Sequence, residues 1–265
     1  MTNRDKSRLD DLLVIRGFAT SRSQARASIM AGLVFRGETR LDKPGQRVES
    51  NINLMIRGRP HPWASRGGIK LAHALDHFKI VPRGAICLDI GASAGGFTDV
   101  LLTRGAIKVY AVDSGYGQLD WRLRNDPRVI VRERVNARYL DPNQVPERVG
   151  LIACDTSFIS LTKVLPAPLQ RAHPGAKLIA LIKPQFEAER HHVGKGGVVR
   201  DPVVHTNVCQ KIEAWLGTQQ SWTVLGIERS PITGPKGNVE FLIAAQLSSR
   251  VPPLDIPDQT GCPKT

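Results

Sequence analysis

Five short apolar runs, Ala85–Ile90, Val109–Val112, Val129–Val131, Leu151–Cys154 and Lys177–Ile182, alternate with helix-like stretches. Parallel strands are joined by crossover helices, and each helix must bury one face, so this alternation calls for a sheet covered on both sides. Two further runs, Ser221–Ile227 and Val239–Ala245, are separated mostly by turn-forming residues and predict an antiparallel pair that closes the sheet. The expectation is an α/β fold, a doubly wound Rossmann-like sheet spanning residues 67–247. Two prolines and a glycine before it predict a linker over 58–66, with a smaller α+β unit at 1–57. The Pro-rich end, 248–265, reads as a disordered tail.

The segment after the first strand, Asp89-Ile90-Gly91-Ala92-Ser93-Ala94-Gly95-Gly96-Phe97-Thr98-Asp99, opens a helix. Small residues there let backbone N–H groups approach a ligand, and the helix N-terminus adds positive potential. The spacing is neither that of a dinucleotide fingerprint nor that of a P-loop. Asp113 closes the next strand, where a carboxylate can accept two ribose hydroxyls. Asp89, at the end of the first strand, could meet the ligand's amino group through the loop. Asp89, Gly91, Ala92, Ser93, Gly95, Gly96, Phe97 and Asp113 are therefore the expected cofactor-binding residues. Among nucleoside ligands, S-adenosylmethionine fits best, because it has adenosine, an amino-acid end and no phosphate.

The chain of 265 residues carries a formal charge of +13 and a pI near 10.1. Such a balance favours a polyanionic partner. Residues 1–66 hold 13 basic and 6 acidic residues, over half of the excess. Leu9, Leu12 and Leu13 share one helical face, and Gly17 stops that helix. A second helix starts at the N-cap Ser21, with Ala25, Ile29 and Met30 as its apolar stripe and Arg22 and Arg26 on one face. Short strands are expected around Leu33–Phe35 and Gln46–Ile56. The run Arg8-Leu9-Asp10-x-x-Leu13, followed by Ser21-Arg22-Ser23-x-Ala25-Arg26-x-x-Ile29-x-x-Gly32-x-Val34, resembles the small RNA-binding domain of ribosomal protein S-four. It departs in reading Arg36-Gly37 where Asn-Gly is usual.

Other classes are disfavoured. The N-terminus is polar throughout, unlike a signal peptide. The longest clean apolar runs, Leu178–Ile182 and Phe241–Ala245, fall far short of the ~18 residues of a spanning helix. Cys87, Cys154, Cys209 and Cys262 are scattered with no Cys-x-x-Cys pair, so neither a zinc site nor a disulfide framework is indicated. The expectation is a reduced, cytoplasmic protein without a metal.

Four ionisable residues occupy positions that such a sheet uses for chemistry: Lys70 after Ser65-Arg66-Gly67-Gly68, Asp155 and Lys183 at strand ends, and Glu240 after Gly237-Asn238. With Val112-Asp113-x-Gly115-Tyr116-Gly117-Gln118-Leu119, Asp155-x-Ser157-Phe158-Ile159-Ser160-Leu161, Lys183-Pro184-Gln185-Phe186-Glu187, Gly194-Lys195-Gly196-Gly197-Val198-Val199-Arg200-Asp201 and Ser230-Pro231-x-x-Gly234-x-x-Gly237-Asn238-x-Glu240, the chain resembles the TlyA-type family. That family comprises haemolysin-like proteins and ribosomal RNA 2′-O-methyltransferases of the FtsJ-like class. The likeness covers about residues 5–247. Its departures are Ala94 where threonine is common, Thr156 where valine is usual, and Glu189 in place of a glycine, near the expected cationic pocket.

The resemblance implies a class I methyltransferase sheet and methyl transfer from S-adenosylmethionine to a ribose 2′-hydroxyl of ribosomal RNA, on a cytidine. Lys70, Asp155, Lys183 and Glu240 would form the catalytic tetrad, with Asp155 also facing the cofactor. A ribose hydroxyl must lose its proton as it attacks, and a cationic lysine cannot accept it. Lys183 would be the base or orienter, with Lys70 as the neighbouring cation that favours its neutral form. Asp155 would hold the lysine and Glu240 would orient an ammonium group. Arg8, Arg22, Arg26 and Arg66 would contact RNA. The partners implied are ribosomal RNA or ribosomal subunits. The competing readings are a non-catalytic RNA-binding or ribosome-assembly factor and a membrane-active haemolysin.

Overall fold

The computed structural model describes residues 6–19, 21–56, 61–219 and 221–249. The expected tail falls outside these residues except for 248 and 249, as do Cys262 and positions 58–60 of the expected linker.

The N-terminal unit starts with β1 (Lys6–Arg8), α1 (Leu9–Ile15) and α2 (Arg22–Met30). It continues through β2 (Val34–Arg36), β3 (Thr39–Arg40), β4 (Arg47–Glu49) and β5 (Met55–Ile56). Ser21 caps α2, its Oγ accepting from the Gln24 amide at 3.2 Å. Leu9, Leu12 and Leu13 meet Ala25 and Ile29 in one small core. Met30 departs from the expected stripe and is 72% exposed, because it lies one helical step from Ile29 on the last turn of α2. The expected strand region 46–56 is two strands in different sheets: β4 pairs with β1, while β5 pairs with β2 beside β3.

The larger unit contains α3 (Gly67–His77), β6 (Ile86–Ile90), α4 (Gly96–Thr103), β7 (Lys108–Asp113), α5 (Trp121–Arg124) and β8 (Val129–Glu133). Then come β9 (Val149–Cys154), α6 (Leu161–Val164), α7 (Pro166–Leu169), β10 (Ala172–Ile182) and α8 (Pro184–Glu187). The chain closes with α9 (Pro202–Gly217), β11 (Trp222–Arg229) and β12 (Phe241–Leu247). Seven strands form one sheet in the order β11-β12-β10-β9-β6-β7-β8. The strands β10, β9, β6, β7 and β8 run parallel, and β12 is antiparallel to both of its neighbours. All five expected parallel strands and the closing antiparallel pair are present.

Two apolar layers sandwich this sheet. Along β10, Leu178, Ala180 and Ile182 enter the layer built with α6, α7 and α9, whereas Ile179 and Leu181 enter the layer under α3 and α4. Successive side chains of a strand point to opposite faces, so burial on both faces explains the unbroken apolar run. Trp63 and Ala64 already pack on the α3/α4 layer, and the Ala64 amide donates to Asp99 Oδ2 at 2.8 Å. Burial pushes the Cys87 and Cys154 thiols up to about 12, so they act as small apolar side chains. Among the described residues no helix is long and apolar enough to cross a membrane.

Candidate active site

The strands β6 and β9 lie side by side where the strand order reverses, so the loops after them diverge and leave a cleft beyond their carboxyl ends. Glycine makes the approach of these loops possible. Gly91 has φ +82°, and a Cβ there would lie 2.5 Å from the Asp155 carbonyl oxygen. At Gly96, the first residue of α4, a Cβ would lie 2.2 Å from Ser65 Oγ.

Two joined hollows occupy the cleft. The first, of about 360 Å³, is lined by residues including Gly91, Ser93, Asp113, Gln118, Asn136 and Phe158. The second, of about 480 Å³, is lined by residues including Arg66, Lys70, Ala92, Phe97, Lys183 and Gly234. Asp155 and Ser157 border both. Asp113 accepts from the Ser93 amide at 2.8 Å and from the Gly115 amide at 2.7 Å, which fixes its carboxylate at the rim of the first hollow. Each oxygen keeps a lone pair, so the carboxylate can still accept from a diol.

Asp89 lies deeper than the sequence suggests. It is fully buried behind the loop, lines neither hollow, and accepts from Thr98 Oγ1 at 2.6 Å. Burial pushes its carboxyl up to about 7, and the Asp155 and Asp113 charges act in the same direction. Its Oδ1 is buried without a hydrogen-bond partner.

Two lysine–carboxylate pairs mark the second hollow. Lys183 Nζ lies 2.5 Å from Asp155 Oδ1 and donates to Ser157 Oγ at 3.0 Å. Lys70 Nζ donates to Glu240 Oε2 at 2.6 Å, and both side chains are buried. Burying two ammonium groups requires such partners, since an unpaired charge would be strongly disfavoured there. Lys70 rises from the first turn of α3, Asp155 and Lys183 follow β9 and β10, and Glu240 immediately precedes β12. The loop before Glu240 folds tightly over it: a Cβ at Gly234 would lie 2.0 Å from Glu240 Oε1.

The other expected residues lie elsewhere. Arg66, exposed at the cleft rim, donates to the Thr233 carbonyl at 3.2 Å. In the N-terminal unit Arg8 donates to both oxygens of buried Asp10 at 3.0 and 2.9 Å, and Arg22 reaches the same carboxylate at 3.3 Å. The Arg8 hydrogen bonds, helped by Arg22, hold the Asp10 carboxyl down at about 2. Arg26 stands exposed on α2. Glu189 does not border the cleft; it is exposed beside His191 Nδ1 at 3.4 Å. Sequence reasoning passed over Ser157 and the Thr233-Gly234 turn as site residues. Ser157 and Gly234 belong to the same ordered motifs as Asp155 and Glu240, whereas Thr233 falls at an unspecified position of its motif.

The family model of FtsJ-like methyltransferases matches residues 63–247, the segment that builds this sheet and cleft. The chain belongs to the FtsJ-like methyltransferase family. An S4 domain model matches residues 7–51 of the N-terminal unit. YqxC of Bacillus subtilis, assigned as an rRNA methyltransferase, is 47% identical over 239 residues, covering 90% of this chain and 85% of that protein. The 16S/23S rRNA (cytidine-2′-O)-methyltransferase TlyA of Mycobacterium tuberculosis is 46% identical over 244 residues, covering 90% of this chain and 89% of the relative. A solved structure of a Streptococcus thermophilus protein described as a hemolysin superposes with a TM-score of 0.73 at 40% identity, covering 92% of this chain and 89% of that one. Fold and family together imply use of S-adenosylmethionine. The cleft suits such a ligand, with glycine-lined close approach, a carboxylate able to take a diol and a position beyond the strands' carboxyl ends, where open α/β sheets bind ligands.

Proposed function

We propose that this chain transfers a methyl group from S-adenosylmethionine to the 2′-oxygen of a cytidine ribose in ribosomal RNA, the activity printed in the name of its relative TlyA. The observation that carries the reading is the pair of buried lysine–carboxylate contacts at one hollow of the cleft. A residue set that only bound RNA would have no need to bury two ammonium groups beside a cofactor-sized cavity.

S-Adenosylmethionine supplies an electrophilic methyl group when bound. Asp113 and the Gly91–Gly96 loop would hold the adenosine end. Asp89, behind that loop, anchors the start of α4 through Thr98. Lys183 Nζ faces the second hollow, with Asp155 and Ser157 fixing two of its directions and leaving a third for the ribose hydroxyl. In its neutral form that nitrogen accepts the hydroxyl proton as the oxygen attacks. Lys70, steadied by Glu240, places a positive charge near the developing negative charge on oxygen. The S4 unit and Arg66 at the rim dock the RNA, and residues 1–57 and 67–247 divide docking from chemistry.

Radiolabelled methyl transfer to isolated ribosomal subunits and to naked ribosomal RNA tests the reading. A modified ribose resists alkaline cleavage of the phosphodiester that follows it, because the 2′-oxygen can no longer attack. Label that enters RNA as 2′-O-methylcytidine supports the proposal. Label on a base, or no transfer to any ribosomal RNA, overturns it.

A further inference from the structure

We infer that His73, His77 and Glu228 form a binding site for a divalent transition cation such as Zn²⁺, clamping α3 to the edge strand β11. The site lies outside the cleft and does not depend on the proposed reaction.

His73 and His77 stand four residues apart on α3, so both imidazoles leave the same face, with ring centroids 6.0 Å apart. Glu228 reaches them from β11, at the end of the sheet order. A register shift between Val224 and Gly226 sets its direction. Val224 and Ile227, three residues apart, both pack on the layer opposite α3, which an unbroken period of two would forbid. The extra residue turns Glu228 toward α3. Without the shift its carboxylate would face the other side of the sheet.

The three donors converge without bonding one another. His73 Nε2 lies 3.8 Å from Glu228 Oε1, and His77 Nε2 lies 3.8 Å from Glu228 Oε2, both beyond hydrogen-bond range. One ligand atom from each residue falls within 4.8 Å of the others. His73 Nε2 is also buried with no hydrogen-bond partner. Buried polar atoms are normally satisfied, so a lone pair in that state, aimed at a carboxylate and a second imidazole, points to a ligand. Bonds of ~2.1 Å in a tetrahedral site put ligand atoms about 3.4 Å apart, so closing this set needs only small rotations. Two imidazoles and one carboxylate, with water as the fourth ligand, select Zn²⁺, Ni²⁺ or Cu²⁺ over Mg²⁺. The exposure of His77 leaves a path for entry.

The test uses untagged full-length protein, stripped with chelator and titrated with Zn²⁺ in a calorimeter near neutral pH. The expected result is one strong site per chain and a Tm raised by about 5 °C or more at a hundredfold excess over Kd. His77→Ala and Glu228→Gln should each weaken that site at least tenfold, and His73→Ala/His77→Ala should abolish both the site and the Tm shift. Co²⁺ should give the visible absorption of a tetrahedral complex in the parent protein and not in the double variant. Binding at the half-buried Cys209 thiol or at the adjacent pair His191 and His192 would survive in the double variant. Equal Zn²⁺ affinity in parent and double variant, or no binding by the folded parent, overturns the inference.

Discussion

Asp89 and Asp113 sit on adjacent strands yet have different environments and different tasks. Asp113 meets two loop amides at the cleft, whereas Asp89 is sealed behind the loop with one hydroxyl partner. Asp113→Ala should weaken S-adenosylmethionine binding about ten- to a hundredfold, measured by calorimetry, because a buried diol would lose its acceptor. Unchanged affinity would remove Asp113 from the site. For Asp89 the folded value of about 7 lies above the ordinary 3.8, so the fold favours its uncharged form. Its contribution to stability is therefore full below about pH 4 and is lost as pH rises through 7. Asp89→Asn should flatten the fall in stability between pH 4 and 7, read from denaturation midpoints. Parallel profiles for parent and variant would contradict this. Asp89 as a boundary acid of the glycine loop was legible in the sequence. Its depth was not, because strand-end position does not tell which way a carboxylate points until the helix above it is placed.

At the scale of elements, the site depends on a contact that local pattern does not reveal. Lys70 and Glu240 are 170 residues apart and meet only because α3 crosses the sheet beside β12. Gly234 guards that contact. Gly234→Ala would put a methyl group 2.0 Å from Glu240 Oε1 and push that carboxylate off Lys70, so turnover should fall at least tenfold and Tm should drop while cofactor affinity changes little. A variant with full turnover would show that the Lys70–Glu240 geometry is not needed. The N-terminal helices make a second case. Arg22 and Arg26 look equivalent on one face, but Arg22 is spent on Asp10 and Arg26 is not bound to it. Arg26→Ala should reduce the salt slope of RNA binding by about one without changing stability, whereas Arg22→Ala should also lower the stability of the N-terminal unit. Equal effects on stability would contradict the distinction. The strands were legible because burial on both faces leaves unbroken apolar runs. The split of 46–56 between two sheets was not, since strands of two or three residues carry too little pattern.

At the scale of the whole molecule, a basic unit with its own core precedes a seven-stranded sheet whose cleft is lined by Lys70, Asp155 and Lys183, with Glu240 reached through its contact with Lys70. Removing residues 1–60 should leave S-adenosylmethionine binding intact and reduce methylation of ribosomal RNA, since docking and cofactor binding use different surfaces. Retained RNA methylation would refute that division. The central claim is that Lys183 handles the hydroxyl proton. It is tested most directly by methyl transfer from labelled S-adenosylmethionine to ribosomal RNA, comparing the parent enzyme with Lys183→Ala and Lys183→Arg. Arginine keeps the charge but cannot give up its proton at accessible pH. Both variants should therefore lose ~10²–10⁴-fold in turnover while binding cofactor normally. A fully active Lys183→Arg enzyme would contradict proton transfer at Lys183.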